Sequence, residues 1–147
     1  DAAFAVHPDM KSHTGYTMTM GEGAIISSSR KQKLNTRSST ESELVACDDA
    51  MTQVLWTKQF LEHQGYETDA IMHQDNTSTI QLEKNGKASS HKRTRHINIR
   101  YFFIKDQIDK GVIQIQYCPT DKMDADFMSK ATQAETFNRL RNKIMGM

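Results

Sequence analysis

The order of apolar and polar residues divides the first half of the chain into three strands and two helices. Residues 15–29, GYTMTMGEGAIISSS, predict two short strands joined by a Gly-Glu-Gly turn. Residues 41–65, ESELVACDDAMTQVLWTKQFLEHQG, predict a long helix that is closed by Gly65. The strand AIMHQD, residues 70–75, then leads into a short helix, TSTIQLEKNG, that ends near Gly86.

The second half continues the alternation of helix and strand. Residues 95–111 form a predicted helix that stops at Gly111 and has one apolar face, made of Ile97, Tyr101, Ile104 and Ile108. The run VIQIQYC predicts a half-buried strand, because glutamines alternate with Ile113, Ile115 and Tyr117. Residues 123–130 and 134–145 predict two more helices, the latter with an apolar face of Phe137, Leu140 and Ile144. This order predicts an α/β fold in which helices pack on both faces of one mixed sheet.

Asp75 stands between the strand AIMHQD and the next helix, so it has two interpretations. Asp and Asn are good turn residues, and Asn76, Thr77 and Ser78 are typical of a helix cap. Alternatively, Asp75 belongs to a metal-binding set of carboxylates at the carboxyl edge of the sheet, where α/β folds place their chemistry. The turn and the metal site both remain open on this residue alone.

Glu43 also has two interpretations. In the run TESE it can complete a capping box with Thr40 as the cap. At about 100° per residue, however, Glu43 shares one stripe of the long helix with Cys47, Ala50, Met51, Val54 and Leu61. Glu41 lies on the opposite side, and a carboxylate on the buried face is costly unless it is paired or bound to a metal. Trp56 and Phe60 lie off the stripe and predict a second contact surface.

The composition is that of a soluble globular protein. The 147 residues, of which 37% are hydrophobic and 25% charged, suffice for one domain with a core. No apolar stretch is long enough for a membrane span, so we expect no membrane partner. Cys47 and Cys118 have no metal spacing, which favours a reduced, intracellular chain and makes a zinc site unexpected.

Positive charge is concentrated in two places although the net charge is only +1. No acid interrupts residues 84–100, which contain Lys84, Lys87, His91, Lys92, Arg93, Arg95, His96 and Arg100. A second cluster contains Arg30, Lys31, Lys33 and Arg37. Such clusters suit a phosphate backbone, and a solvated surface is the alternative.

Several separated motifs together resemble the ribonuclease H domain that ends copia-type retrotransposon polyproteins. They are KQKLNTRSSTESELVA, HQDNTSTIQLEKNG, RTRHINIRYFFI and ADFMSK, and the opening DAAFAVHPDMKSHTGY resembles the start of that domain. The resemblance implies a ribonuclease H-like fold and cleavage of the RNA strand of RNA–DNA hybrids during reverse transcription. It further implies two Mg²⁺ ions, with Mn²⁺ as a substitute, and the polymerase domain of the same reverse transcriptase as a partner. The implied location is the cytoplasm, in a virus-like particle, or the nucleus.

The resemblance also implies which residues act. The four carboxylates that bind metal and carry catalysis correspond to Asp1, Glu43, Asp75 and Asp126, with Glu41 as the rival of Glu43. The expected nucleic-acid contacts are Arg37, Asn76, Thr77, Lys92, Arg93, Arg95 and His96. Asn76 and Thr77 suit 2′-hydroxyls, with the helix cap as the alternative role. For Arg95 and His96 the alternative is a packed or solvent-facing side chain.

Three features depart from the family pattern. The family's first strand would precede and contain Asp1, so we expect that part of it is missing here and that Asp1 frays. Cellular ribonucleases H often have a His shortly before the last Asp, and residues 119–125 contain none. Asp124 is an extra acid, best interpreted as a helix cap or a first-turn acid.

Two other functions therefore remain open. One is a ribonuclease H-like domain that has lost catalysis and binds nucleic acid or braces a polymerase. The other is an integrase- or resolvase-type nuclease that acts on DNA.

Overall fold

The computed structural model describes residues 1–85 and 95–147, except for the side chains of residues 85, 95 and 96. The strands in these residues are β1 (Ala2–Ala3), β2 (His13–Thr19), β3 (Ala24–Lys31), β4 (Ile71–Gln74) and β5 (Gln114–Tyr117). The helices are α1 (Ser39–His63), α2 (Thr77–Asn85), α3 (Arg95–Asp109), α4 (Asp126–Ser129) and α5 (Ala134–Met145), with a 3-10 turn at Thr120–Lys122. Within the described ranges, none of the helices is both long enough and apolar enough to cross a membrane.

The strands pair in two groups. β1, β2 and β3 form an antiparallel sheet in which Ala2 lies opposite Thr14 and Thr14 lies opposite Arg30. β4 and β5 form a parallel pair in which Ile71 lies opposite Gln114. The fold is thus mixed α/β, as the residue pattern predicts, although the described strands pair as two separate sheets and not as one.

Helices cover both faces of the antiparallel sheet, and two adjacent residues of β2 show how. Thr14 is fully buried and donates a hydrogen bond of 3.4 Å to Asp49 of α1. Gly15 points to the opposite face, because neighbouring strand residues alternate. A Cβ atom at Gly15 would lie only 2.5 Å from the backbone nitrogen of Ser129 at the end of α4. Glycine therefore lets α4 approach the sheet closely, and the predicted helices on both faces are confirmed.

The main core lies between α1, α3 and β5. Met51, Ile104 and Ile113 are almost completely buried there. The predicted apolar face of α3 is confirmed, because Ile97, Tyr101 and Ile104 are buried and Ile108 is partly buried against the same cluster.

Two apolar residues are more exposed than their patterns predict. Tyr117 is 57% exposed because it is the last residue of β5, beyond the helices that cover Ile115. On α5 only Leu140 is buried, whereas Phe137 is 38% exposed and packs its ring against Phe127, with 5.2 Å between the ring centroids. In both cases the sequence pattern predicts which face is apolar but not how much of that face is covered by neighbouring elements.

The start of α1 corrects the predicted capping box. The cap is Ser38, whose Oγ accepts a hydrogen bond of 3.1 Å from the backbone N–H of Glu41. The carboxylate of Glu41 in turn accepts a bond of 2.7 Å from the backbone N–H of Arg37. Thr40 therefore lies inside the first turn, and Glu43 takes no part in capping.

Candidate metal centre

Three carboxylates converge where β1, α1 and β4 meet. One ligand oxygen from each of Asp1, Glu43 and Asp75 lies within 4.8 Å of the other two. Asp1 directly precedes β1, Glu43 lies in the second turn of α1, and Asp75 directly follows β4. The elements thus bring together three of the four acids that the sequence motifs indicate, and their role as metal ligands stays a prediction.

Asp1 is hydrogen-bonded to β2 through its backbone and to the end of α4 through its side chain. Its backbone exchanges two hydrogen bonds with Gly15 of β2, at 3.1 Å and 3.0 Å. Its side chain is 1% exposed and accepts hydrogen bonds from the hydroxyl of Ser129 and, at 3.1 Å, from the ammonium group of Lys130. In the structure, Ser129 of α4 and Lys130 after it thus orient the Asp1 carboxylate, and the fraying of this residue stays a prediction.

Glu43 is buried with one oxygen satisfied and one free. Its Oε1 accepts a hydrogen bond of 3.0 Å from the backbone N–H of Ala2. Its Oε2 is buried and has no hydrogen-bond partner among the described residues. Burial raises the pKa of Glu43, and the nearby charge of Asp75 raises it further, while the amino terminus and the N–H of Ala2 partly offset the effect.

Asp75 belongs both to a turn and to the convergent group. Its Oδ2 accepts a hydrogen bond of 2.8 Å from the hydroxyl of Thr120. The next residue, Asn76, caps α2, because its Oδ1 accepts a bond of 3.0 Å from the backbone N–H of Thr79. Thr77 is exposed at the start of the same helix. The cap role of Asn76 is thus present, and Asp75 lies in the connection between β4 and α2 within the convergent group. Its role as a metal ligand stays a prediction.

Asp126 is not one of the three convergent carboxylates but is connected to Asp1 through a lysine. Its Oδ1 accepts a hydrogen bond of 2.7 Å from Lys130, the same ammonium group that contacts Asp1. The extra acid, Asp124, forms an ion pair of 2.8 Å with Lys143, and its side chain caps no helix. Its other oxygen, Oδ1, is buried without a hydrogen-bond partner among the described residues.

The burial of another acid, Glu83 of α2, was not predicted from the sequence. Its side chain is fully buried, and neither carboxylate oxygen has a partner with hydrogen-bond geometry in the described part of the chain. Burial raises its pKa to about 7; the Cys47 thiol partly offsets this effect, and the charge of Glu43 adds to it. A signal was present, because Glu83 follows Thr79 and Ile80 at the spacing of one helical face.

Acids from other elements neutralise part of the predicted basic clusters. Arg100 forms ion pairs with Asp48 and, at 3.5 Å, with Asp49 of α1. Arg30 also pairs with Asp49, at 3.4 Å, and Lys31 pairs with Asp9 at 2.7 Å. The absence of acids among residues 84–100 therefore does not mean that their basic side chains lack acidic partners, because acids distant in sequence contact them in the fold.

The other expected nucleic-acid contacts are only partly described. Arg37 and Lys84 are exposed. Lys92 and Arg93 lie outside the described residues, as do the side chains of Arg95 and His96. Their contact with phosphate stays a prediction.

The convergent carboxylates suit a hard divalent cation. All their candidate ligand atoms are oxygens, which Mg²⁺ and Mn²⁺ prefer. The unpartnered Oε2 of Glu43 is the specific observation, since a buried oxygen without a donor is costly unless something positive binds it. The donor set therefore fits the implied metal.

Comparison with known proteins gives the wider context. The chain is 33% identical over 138 residues to the retrovirus-related Pol polyprotein from transposon TNT 1-94 of Nicotiana tabacum, which covers 93% of this chain and 10% of the relative. The homologues are transposon Pol polyproteins. Two others, from transposons RE1 and RE2 of Arabidopsis thaliana, are 30% and 29% identical over 138 residues, 92% of this chain and 9% of each relative.

The chain spans about a tenth of the length of the curated relatives it matches. No protein-family model matches it, and no solved structure does. The expected similarity to transposon Pol polyproteins is confirmed, and the origin of this chain in such a polyprotein stays a prediction.

Proposed function

We propose that this chain is the ribonuclease H domain of a retrotransposon Pol polyprotein and hydrolyses the RNA strand of RNA–DNA hybrids. The observation that carries the proposal is the convergence of Asp1, Glu43 and Asp75 within 4.8 Å, at the junction of β1, α1 and β4. The similarity to transposon Pol polyproteins over more than nine-tenths of the chain supports the same context. The polymerase domain of the same polyprotein is the proposed partner.

The proposed cation ligands are Asp1, Glu43 and Asp75, with Asp126 beside them. When bound, two divalent cations would supply positive charge to the attacking water and to the leaving oxygen. The protein's own part is to fix the carboxylates. The N–H of Ala2 holds one oxygen of Glu43, and the hydroxyl of Thr120 holds one oxygen of Asp75. Such outer hydrogen bonds orient ligands and adjust their basicity.

The substrate would be held by phosphate contacts and read through its 2′-hydroxyls. Thr77 is exposed and starts α2 two residues after Asp75, which supports a contact of its hydroxyl with a 2′-hydroxyl next to the scissile bond. Arg37 and Lys84 are exposed and available for phosphate. The uncharacterised basic segment that contains Lys92 and Arg93 would extend this contact.

One observation favours a second candidate, a non-catalytic module that binds nucleic acid. The ammonium group of Lys130 lies 3.1 Å from Asp1 and 2.7 Å from Asp126, and so bridges two of the four proposed ligands with a positive charge from within the chain. If this lysine permanently occupied the place of a cation, the domain would keep its fold and its basic surface but would not cleave nucleic acid.

The test is cleavage of an RNA–DNA hybrid labelled on its RNA strand, with Mg²⁺ and with a chelator. We expect Mg²⁺-dependent cuts in the hybrid, and none in RNA or DNA duplexes of the same sequence. Glu43→Gln should abolish them, whereas Glu41→Gln, the same change two residues earlier, should leave them intact. A folded parent that binds the hybrid without cutting it would favour the non-catalytic module, and cleavage of the DNA duplex would favour a DNA nuclease.

A further inference from the structure

The loop between β1 and β2 brings two histidine rings together. The Nε2 atom of His7 and the Nδ1 atom of His13 lie 3.0 Å apart, and the ring planes are tilted by 40°. A tight turn makes this approach possible, because the N–H of Met10 donates to the carbonyl of His7 and the N–H of His7 donates to that of Lys11. Both histidines are half-buried, so each ring is still reached by solvent.

Hydrogen bonds on the other side of His13 determine where its proton lies. The hydroxyl of Ser29 donates to the backbone carbonyl of Met128 at 2.6 Å, and a carbonyl can only accept. The Ser29 oxygen therefore accepts a hydrogen bond from Nε2 of His13, which lies 2.8 Å away. Neutral His13 thus carries its proton on Nε2, and the lone pair of its Nδ1 faces His7.

His13 is neutral at pH 7, which is the form that binds metals. Burial lowers its pKa from the ordinary value of 6.5, and the charge of His7 lowers it further, while the backbone carbonyl of Met128 partly offsets the effect. His7 can shift its own proton from Nε2 to Nδ1 by exchange with water. Two lone pairs then face each other across 3.0 Å.

The separation of these two nitrogens suits a transition-metal ion. Two imidazole nitrogens that bind one tetrahedral Zn²⁺ at about 2.0–2.1 Å are about 3.3 Å apart, so a small movement of either ring admits the ion. Ser29, held by Met128, is the kind of outer partner that orients a ligating histidine. Imidazole favours Zn²⁺, Ni²⁺ and Cu²⁺, whereas Mg²⁺ prefers the oxygens of the convergent carboxylates.

We propose that His7 and His13 form a binding site for a divalent transition-metal ion, with Zn²⁺ as its simplest representative. In the part of the chain that the structure describes, no third His, Cys or carboxylate group completes a set with them, so water fills the other coordination positions. Asp9, in the turn between the histidines, is paired with Lys31 at 2.7 Å. The bound ion links the loop of residues 4–12 to β2. This proposal does not depend on nuclease activity.

A zinc site was unexpected because the spacing of the cysteines indicates none. Here the turn of the loop brings the two ligands together, and their separation of six positions matches no zinc motif. The orienting contacts come from farther away, since Ser29 lies on β3 and Met128 belongs to α4.

The test is calorimetric titration of Zn²⁺ into the chain, in an Asp75→Asn background with excess Mg²⁺ that removes the carboxylates from competition. His7→Gln and His13→Gln should each weaken Zn²⁺ binding by roughly tenfold or more, and Ser29→Ala by about tenfold, as expected for an outer partner. Saturating Zn²⁺ should also raise the thermal midpoint by roughly 3 °C or more, and His7→Gln should lose this increase.

His63→Gln is the matched control, because the exposed ring of His63 contacts the backbone of its own helix at Gln59. In nitrogen-15 spectra, Zn²⁺ should shift the ring resonances of His7 and His13 and leave those of His63 unchanged.

Zn²⁺ binding by His7→Gln that is as tight as that of the parent would overturn the proposal, because the site would then lie elsewhere. A parent whose His7 and His13 resonances do not respond to Zn²⁺ would overturn it as well. Unchanged binding by Ser29→Ala would contradict the protonation assigned to His13 and so the site built on it. If His13→Gln fails to fold, His7→Gln decides, since His7 lies in the loop and outside the sheet.

Discussion

The ammonium group of Lys130 donates a hydrogen bond of 3.1 Å to the carboxylate of Asp1, a residue at the other end of the sequence. The same group contacts Asp126 at 2.7 Å. One positive charge of the chain thus lies between two negative charges that would otherwise repel each other. A divalent cation that binds Asp1 must compete with this lysine.

Lys130→Met should therefore tighten cation binding at the cluster. The variant should bind Mg²⁺ or Mn²⁺ with a lower dissociation constant in calorimetric titration, and should be less stable than the parent in a chelating buffer. Lys105→Met is the matched control, because Lys105 pairs with the exposed Asp109 on α3. Weaker cation binding by Lys130→Met would show that the lysine supports the site instead of competing for it.

Asp75→Asn should abolish metal-dependent cleavage while the domain stays folded. The amide keeps the size and the turn-forming ability of Asp75 but removes its charge. Activity should fall by more than the roughly 10–100-fold that loss of an outer-sphere partner causes. The thermal midpoint without metal should stay equal or rise, since Glu43 and Asp75 repel each other. Asp109→Asn is the control, and unchanged cleavage by Asp75→Asn would show that the ligand set is misassigned.

Glu83 should make stability fall as the pH rises towards neutrality. In the unfolded chain this carboxyl ionises near its ordinary pKa of 4.5, whereas burial raises the folded pKa to about 7. Between these values the folded state binds more protons, so the free energy of unfolding decreases with increasing pH. Above pH 7 the loss is complete, on the order of 3 kcal/mol.

Glu83→Gln should remove this pH dependence. The amide is neutral at every pH, so the variant should be more stable than the parent at pH 8 and similar to it near pH 4. Urea unfolding at several pH values measures the difference, with the exposed Glu135→Gln as the control. A difference that does not change with pH would mean that Glu83 is ionised inside the fold.

Ser38→Ala should destabilise the protein by about 1 kcal/mol, because it removes the cap of α1. Thr40→Ala, two residues later, should be neutral or slightly stabilising, since its hydroxyl has no capping role and Ala is the better helix former. In urea unfolding, Ser38→Ala should lower the urea concentration at the midpoint, while the slope of the unfolding free energy against urea concentration stays unchanged. If Thr40→Ala costs more than Ser38→Ala, the helix begins later than the structure shows.

Hybrid binding should weaken steeply with added salt. The logarithm of the binding constant should fall linearly with the logarithm of the salt concentration, with a slope of about −0.9 for each phosphate neutralised. Replacing both Lys92 and Arg93 by Gln, in an Asp75→Asn background that prevents cutting, should reduce the slope by about 2. Arg100→Gln should change it less, because Asp48 and Asp49 already neutralise that side chain. Equal effects of the two changes, measured by fluorescence anisotropy, would refute a special role for residues 92 and 93.

The parts that the sequence predicts well depend on periodicity. Glu43 could be placed on the buried stripe of α1 because side chains repeat every 3.6 residues, and Met51 and Cys47 share that stripe. The order of strands and helices follows from the same kind of pattern. The position of the helix cap could not be predicted from periodicity. Ser38, Ser39 and Thr40 offer three similar hydroxyls, and only the backbone geometry distinguishes them.

The parts that the sequence could not predict depend on contacts between distant segments. Lys130 and Asp1 are 129 positions apart, and Arg100 and Asp48 are 52 apart, so no local pattern connects them. Glu83 was missed for a different reason. A lone Glu in a polar helix is usually solvated, and only its phase relative to Ile80 marks it as buried.

The hydrogen bond between Ser129 and Asp1 joins residues 128 positions apart. Synthesis proceeds from the amino end, so Asp1, Glu43 and Asp75 leave the ribosome long before the segment that clamps Asp1 exists. In a nascent chain, Asp1 would therefore lack its contacts with Ser129 and Lys130 until residues 126–130 arrive. The contacts that hold the Asp1 carboxylate can therefore form only after nearly all of the domain has been translated.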